Sequence, residues 1–361
     1  MPLSIYKSST SLYERSAPPG HIHLGVVKEI IPTLIAFGID PAPLVWKVGL
    51  DLHIFEDDSN VIPHATLGRL LTLCVAQTNC PHFGLLVGQR ANIHSLGLIG
   101  RLMRHCATVG DALRALAENL VIQNRGAVPS FSVQDGTALF TFSVYQPAVE
   151  SIDHITDGAI ALTVNALRTL SGARWNPSDV LLPRRPPRDL TPYYNHFRVP
   201  IRFNQETASI SLPERDLAQP IEGADPIIHA VLLERIHGAR MSLNSNIPDD
   251  IRRLLRIRFA DKDCSANGVA KILALHRRTL ARRLTDSGLS YRTISNEVRF
   301  EIARQLLEDT KMSLGEISAA LGYSEASVFS RAFRRWAGCS PGAWRAANRA
   351  MDKPLSEMLQ F

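Results

Sequence analysis

Eight polar side chains in the last third of the chain lie in or beside two copies of one pattern, and four of them, Arg278, Arg282, Ser327 and Arg331, fall at matched places. The first copy runs from Ser265 to Leu284 and the second from Ser313 to Phe333, 48 to 49 positions apart. On a helical wheel, Arg278 and Arg282 lie opposite Leu280 and Leu284, and Ser327 and Arg331 lie opposite Phe329 and Phe333. A guanidinium is a planar fork of donors that matches the paired acceptors of a guanine edge and the oxygens of a phosphate. Arg278, Arg282, Ser327 and Arg331 are therefore the candidates for reading base edges. Arg277, Arg283, Arg334 and Arg335 sit beside that stripe and are the candidates for holding phosphates. A solvated arginine face on ordinary helices would show the same stripe once. Two copies in register argue for a pair of helices that enter two stretches of DNA groove.

Other chemistry is poorly represented. The five cysteines, Cys74, Cys80, Cys106, Cys264 and Cys339, are odd in number and form no CxxC pair, which argues against a disulfide framework or a zinc ribbon. Cys80-Pro-His82 and His105-Cys106 could be drawn as metal ligands, but buried reduced thiols are the simpler reading. Neither a nucleophile elbow nor a phosphate loop occurs. The reading is thus of no catalytic residue, no metal and no cofactor, and of a chain that is not an enzyme. An enzyme with a DNA-binding tail, such as a repair protein using a reactive cysteine, would need a thiol beside a basic cluster. A nucleoid protein would bind DNA without a discrete site.

Charge placement supports the nucleic-acid reading. Residues 249–349 carry 19 Lys and Arg against 11 Asp and Glu, whereas residues 1–248 carry 20 against 21. The basic charge is confined to the segment with the repeat. Arginine also dominates over lysine outside it, so the asymmetry and not the arginine preference carries the argument. No apolar run approaches the length of a membrane helix, and the N-terminus lacks a signal-peptide core. The expectation is a cytoplasmic protein with no membrane partner.

These side chains need elements to hold them. Ser313-Leu-Gly-Glu316 is a capping box and Ser265 a simple cap. Val269, Ile272 and Leu273 give one apolar face, matched by Ile317, Ala320 and Leu321. Ala274-Leu-His276 and Gly322-Tyr-Ser324 are the turns. Between the copies, Tyr291–Glu308 reads as one helix with Ile294, Val298, Ile302 and Leu306 inward, about 27 Å long at ~1.5 Å per residue. That is close to the ~34 Å separating successive major-groove faces on one side of DNA.

Upstream, helical periodicity covers His23–Phe37, Leu44–Leu50, Pro63–Gln77, His82–Arg90, Leu96–Ala107 and Val109–Gln123. Ser130–Val133 and Thr137–Val144 flank Asp135-Gly136, a two-residue hairpin signal. Ile152–Leu170 is a long helix. Val180–Leu182, Ile201–Phe203 and Thr207–Ile210 are short strands, and residues 172–192, with Arg184-Arg-Pro-Pro-Arg188, read as an exposed connection. Asp225–Met241 is a helix that either closes this domain or pairs with a second copy as a homodimer, the latter favoured. The predicted architecture is an α+β N-terminal domain and an all-α C-terminal domain of two helix-turn-helix units joined by a long helix. The expected divisions are a 1–22 arm, a 23–241 effector-sensing and oligomerisation domain, a 242–248 linker, a 249–349 DNA-binding domain and a 350–361 tail.

The residues of the C-terminal domain resemble those of AraC-type (AraC/XylS) bacterial transcription regulators. The resemblance rests on Arg282-Arg-Leu284, on the Val298–Leu307 run, and on Ile317-Ser-Ala-Ala-Leu-Gly-Tyr323. Phe329-Ser-Arg-Ala-Phe-Arg-Arg-Trp336, Gly338-Cys-Ser-Pro341 and Trp344-Arg345 complete it. Two departures are Ala274-Leu275, where Gly-aromatic is usual, and Cys339. Phe83–Arg90, Gly97–Arg101, Thr108–Leu113 and the Asp135-Gly136 hairpin resemble, more diffusely, the arabinose-binding-domain-like sensor of that family. The resemblance implies promoter binding, more often activating than repressing, control by an unknown small-molecule effector, and RNA polymerase as a partner. It supplies no ligand-binding residue. Trp46, Phe83, Arg90, His94 and Arg125 are polar or aromatic pocket candidates, each more readily explained as structural.

Overall fold

A computed structural model describes residues 16–146, 148–241, 246–261, 265–273 and 275–351. Most of the expected arm and tail, residues 242–245 of the expected linker, and Lys262, Cys264 and Ala274 lie outside these residues.

The N-terminal part opens with β1 (His21–His23), α1 (Ile30–Ala36), α2 (Ala42–Lys47), β2 (Val61–Pro63) and α3 (His64–Thr78). There follow α4 (Phe83–Arg90), α5 (Gly97–Arg104) and α6 (Val109–Asn119). The helix expected over His23–Phe37 is thus shorter. Its first residue, His23, is drawn off by antiparallel pairing of β1 with β2, opposite Val61, and Leu24 donates to the Asn60 carbonyl at 2.8 Å. Ile35 is 60% exposed, while Leu24, Ile30 and Leu34 are buried.

The hairpin is where the sequence put it. β3 (Ala127–Gln134) and β4 (Thr137–Val144) pair with Gln134 opposite Thr137. Asp135 and Gly136 make the turn with φ of 51° and 74°, a left-handed pair that Asp-Gly accommodates cheaply. Next come α7 (Ile152–Ser171), β5 (Asp179–Leu182), α8 (Thr191–Phe197), β6 (Ile201–Phe203), β7 (Ala208–Pro213) and α9 (Pro226–Met241). The five-stranded sheet runs β3-β4-β7-β5-β6, antiparallel except for β5 with β6. Alternation along β4 sends Ala138, Phe140, Phe142 and Val144 into the core. α7 lies in that core with Ile160, Ala161, Val164 and Leu167 fully buried.

α4 crosses α7 at glycines. A Cβ on Gly84 would sit 2.2 Å from the His154 carbonyl oxygen, and one on Gly88 2.3 Å from that of Gly158. Only glycine lets the two backbones come this close. The stretch read as an exposed connection also carries a correction. Arg184 is only 7% exposed, because three acceptors far away in sequence converge on it.

The C-terminal part is all helical: α10 (Ile247–Asp261), α11 (Ala266–Ile272), α12 (Arg277–Asp286), α13 (Tyr291–Asp309), α14 (Leu314–Ala320), α15 (Ala326–Ala337) and α16 (Pro341–Met351). α10 starts at Ile247, inside the expected linker. Two separate cores form. One holds Ile251, Leu255, Val269, Leu280, Leu284 and Val298. The other holds Leu306, Leu307, Ile317, Leu321, Phe329 and Phe333. α13 supplies residues to both, and Ile302 touches each.

Candidate nucleic-acid interface

Each unit is built as a capped helix, a turn and a second helix. Ser313 accepts the Glu316 amide at 3.2 Å and Glu316 Oε2 accepts the Ser313 amide at 2.6 Å, closing the box at the start of α14. The hydrogen bonds that the Ser313 amide and then its hydroxyl make to the Glu316 carboxylate hold that carboxyl below its ordinary range. Ser265 Oγ accepts the Gly268 amide at 3.0 Å. Gly322 makes the second turn with φ 73°. The first turn ends on an unforeseen cap: His276 Nδ1 accepts the Arg278 amide at 3.3 Å. Imidazole caps are uncommon beside Ser, Thr, Asp and Asn, so residue type alone does not mark this one.

The second helices are α12 and α15. Leu280 and Leu284 are buried on one side of α12, and Phe329, Ala332 and Phe333 on one side of α15. Phe333 is clamped by Phe300 at 5.6 Å, Phe329 at 5.9 Å and Trp344 at 5.9 Å between ring centroids. With those faces held inward, Arg277, Arg278, Arg282 and Arg283 are all exposed on α12, and Ser327, Arg331, Arg334 and Arg335 on α15. The structure places all eight sequence-derived candidates on the outer surface, four on each helix. Ser327 Oγ donates to Glu325 Oε2 at 2.9 Å. Arg299 lies over the Tyr323 ring at 5.5 Å and donates to Ser295 at 2.8 Å, which ties the second turn to α13.

Two arginines of the basic segment instead dock onto the N-terminal part. Arg256 on α10 donates to the Val144 carbonyl at 2.5 Å and to Gln305 at 3.2 Å; burial draws its pKa down to about 10. Arg304 on α13 donates to the Val149 carbonyl at 3.1 Å and pairs with Glu301 and Glu308, each at 3.1 Å. Reciprocally, Arg185 donates to the Thr310 and Leu307 carbonyls at 3.3 and 3.4 Å. The Lys311 amide donates to Asn204 Oδ1 at 2.7 Å.

Behind Arg185 sits a buried ionic cluster that the sequence reading missed. Arg184 Nη1 pairs with Asp157, its Nη2 donates to the Pro81 carbonyl at 2.9 Å, and the same nitrogen lies 3.4 Å from Asp153. Tyr193 Oη donates to Asp157 at 2.5 Å. Burial pushes Asp157 above the ordinary carboxylate range despite the neighbouring guanidinium. Burial also opposes the Asp153 charge, but His154 and Arg184 prevail and hold its pKa low. Asp309, at the end of α13, is pushed well above its ordinary range by burial and then by Asp153. One carboxyl from each part of the chain thus takes part in this coupling, Asp153 held low and Asp309 pushed up.

Three of the cysteines are buried. Burial raises Cys74 to about 12 and Cys106 to about 11, and raises Cys80 as well, the opposite of what a nucleophilic thiol requires. Among the described residues no three His, Cys, Asp or Glu side chains converge as a metal site, and no single helix is long and apolar enough to cross a membrane.

The N-terminal arabinose-binding domain of AraC transcription regulators matches residues 38–221, and a helix-turn-helix domain family matches residues 269–347. The chain belongs to the AraC family. The ornithine utilization regulator of Pseudomonas aeruginosa is 26% identical to this AraC-type regulator over 337 residues, 90% of this chain and 98% of its own. The HTH-type transcriptional regulator VirS of Mycobacterium tuberculosis is 24% identical over 313 residues, 86% and 92% of the respective chains. The crystal structure of the transcriptional regulator CdpR from P. aeruginosa shares 23% identity and superposes with a TM-score of 0.44 over 88% of this chain and 96% of that one. The protein is a DNA-binding transcription regulator with an α/β N-terminal domain and a helical C-terminal one.

Proposed function

We propose that this regulator reads double-stranded DNA with Arg278 and Arg282 of α12 and Ser327 and Arg331 of α15, while Arg277, Arg283, Arg334 and Arg335 hold phosphates. The observation that supports this most directly is the exposed arginine set on two helices whose opposite faces are buried and which share one rod, α13. A small molecule bound by the 23–241 domain controls this binding, and α10, α13 and Arg185 carry the effect to the 249–349 domain. The protein works in the cytoplasm, without catalysis, as an activator that meets RNA polymerase. Arg282→Ala and Arg331→Ala each weaken binding to the specific site by about 1–3 kcal/mol and relax sequence choice. Footprinting followed by titration against specific and random duplexes measures this; an unchanged specificity ratio in both variants would remove the base-contact assignment.

The same reading includes a homodimer through α9. Leu232, Ile236 and Ala239 face the core, yet Ile227 is 75% exposed and Ile228, Val231 and Leu233 are also outside. An apolar patch on a helix that already closes its own domain suits a second copy. Sedimentation of the full-length protein at micromolar concentration should show a dimer that Val231→Glu dissociates; a wild-type monomer, alone and on DNA, would dismiss it.

A further inference from the structure

Packed cores seldom contain voids larger than a water molecule. The core of the N-terminal part does. Beside the glycine crossing of α4 and α7 lies a cavity with about 80 Å³ in which the centre of a water could move. One water needs roughly 10–15 Å³ by that measure, so there is room for roughly five to eight water-sized groups.

The walls are drawn from separate elements: Leu71 from α3, Val87 from α4, Leu116 from α6, Phe140 from β4, and Ile155 and Leu162 from α7. Among the described residues no Lys, Arg, Asp or Glu lines the space. Three polar side chains do. Thr163 donates to its own helix at the Ala159 carbonyl, 2.8 Å away. His154 Nδ1 accepts the Gly84 amide at 3.2 Å. Asn124 Oδ1 accepts from the Gly126 and Ala127 amides at 3.0 Å each and meets His64 Nε2 at 2.7 Å. The Asn124 amide NH2 takes part in none of these bonds and is the donor this wall offers a guest. None of Trp46, Phe83, Arg90, His94 and Arg125, weighed from the sequence, lines the cavity. Trp46 is 78% exposed and Phe83 and Arg125 are spent in the core.

We propose that this cavity is the effector site and that its ligand is a small, neutral, mostly apolar molecule with one hydrogen-bond acceptor. A short aliphatic alcohol or a substituted phenol has this chemistry. A free amino acid or a sugar does not, since a buried charge or a ring of hydroxyls would find no partners here. The inference rests on the reading that a small molecule controls DNA binding, and it names that molecule's class. His154, which lines the cavity, stands beside Asp153 and three residues before Asp157, so a guest presses on the same turn of α7 that holds Arg184.

The test uses full-length protein, with p-cresol and 1-hexanol as probes and L-arginine as the charged control. Calorimetry should show saturable binding of both apolar probes, with a negative heat-capacity change, and none of L-arginine. Ala159→Phe, which places a ring in the cavity, should weaken binding by about tenfold or more with the circular dichroism spectrum unchanged. Should that variant fail to fold, methyl-labelled wild-type protein still decides. Intermolecular NOEs from p-cresol should reach Leu71, Leu116 and Leu162 and no surface leucine. Absence of saturable apolar binding, NOEs elsewhere, or undiminished binding by a folded Ala159→Phe would overturn the site. DNA affinity is measured separately with each probe present. Binding without any change in DNA affinity leaves the site standing and removes the regulatory reading beneath it.

Discussion

Replacing Arg184 with methionine should be among the most damaging single changes in the N-terminal part. The side chain is 8% exposed and its partner Asp157 is completely buried. Methionine keeps much of the volume but leaves Asp157 and Asp153 without their cation, and frees the Pro81 carbonyl. Removing one partner of a buried pair costs about 3–5 kcal/mol, because the stranded charge is not resolvated. At ~2–4 °C per kcal/mol for a domain of this size, the unfolding midpoint falls by about 6–20 °C. Urea titration of full-length protein, followed by circular dichroism, measures the loss. The pH dependence has a definite sign. Burial already places the Asp157 pKa above its ordinary value, and without Arg184 it rises further. A carboxyl whose pKa is higher folded than unfolded binds its proton more tightly in the native state, so stability falls as pH rises through the interval between the two values. The Arg184→Met penalty should therefore be smaller near about pH 5 than near about pH 8. Adding Asp157→Asn removes the stranded charge and keeps an acceptor for Tyr193, so the double variant should regain most of the loss. A single-variant penalty below about 1 kcal/mol, or one that grows on acidification, would refute the argument.

Two further outcomes follow from the helix-turn-helix units. Arg334→Ala with Arg335→Ala should flatten the plot of log affinity against log salt by roughly 2, near 0.9 per lost phosphate contact, while leaving base preference intact; gel shifts at three salt concentrations check it. Ser313→Ala, which opens the capping box of α14, should cost about 0.5–2 kcal/mol of stability with no change in sequence choice, read by denaturant titration and footprinting.

The C-terminal domain was largely legible because its rules are local. A cap, a turn and an apolar stripe lie within twenty residues of one another, and the repeat displayed them twice. Leu280, Leu284, Phe329 and Phe333 were placed inward by spacing alone and are buried. The Asp135-Gly136 turn was legible for the same reason. What escaped depends on distant pairing. Arg184 sits in a proline-rich run that looks solvent-facing, and its partners are 27 and 103 residues away. The cavity is bounded by five or more elements, so no stretch of sequence outlines it. α9 is apolar on several sides, with Ile227 and Ile236 on different faces, so periodicity could not say which side was buried. β1 straddled the expected arm and helix, and Leu24 suited a helical periodicity, until Ile62 and Asn60 supplied partners to Ile22 and Leu24.

The shared rod α13 has a consequence for how regulatory DNA can change. Its first half is sealed into one core and its second half into the other, so α12 and α15 are locked in rotational phase. On the proposed reading, a base substitution within either half-site alters one set of edges and leaves the rest in place. A single inserted base pair between the half-sites rotates one against the other by about 34° and moves it ~3.4 Å along the axis. A continuous helix of 19 residues cannot twist to follow at small cost, since each residue's turn is fixed by its hydrogen bond to the residue four before it. Promoters read by this protein should accordingly diverge by exchange of bases and hold the length between paired half-sites constant.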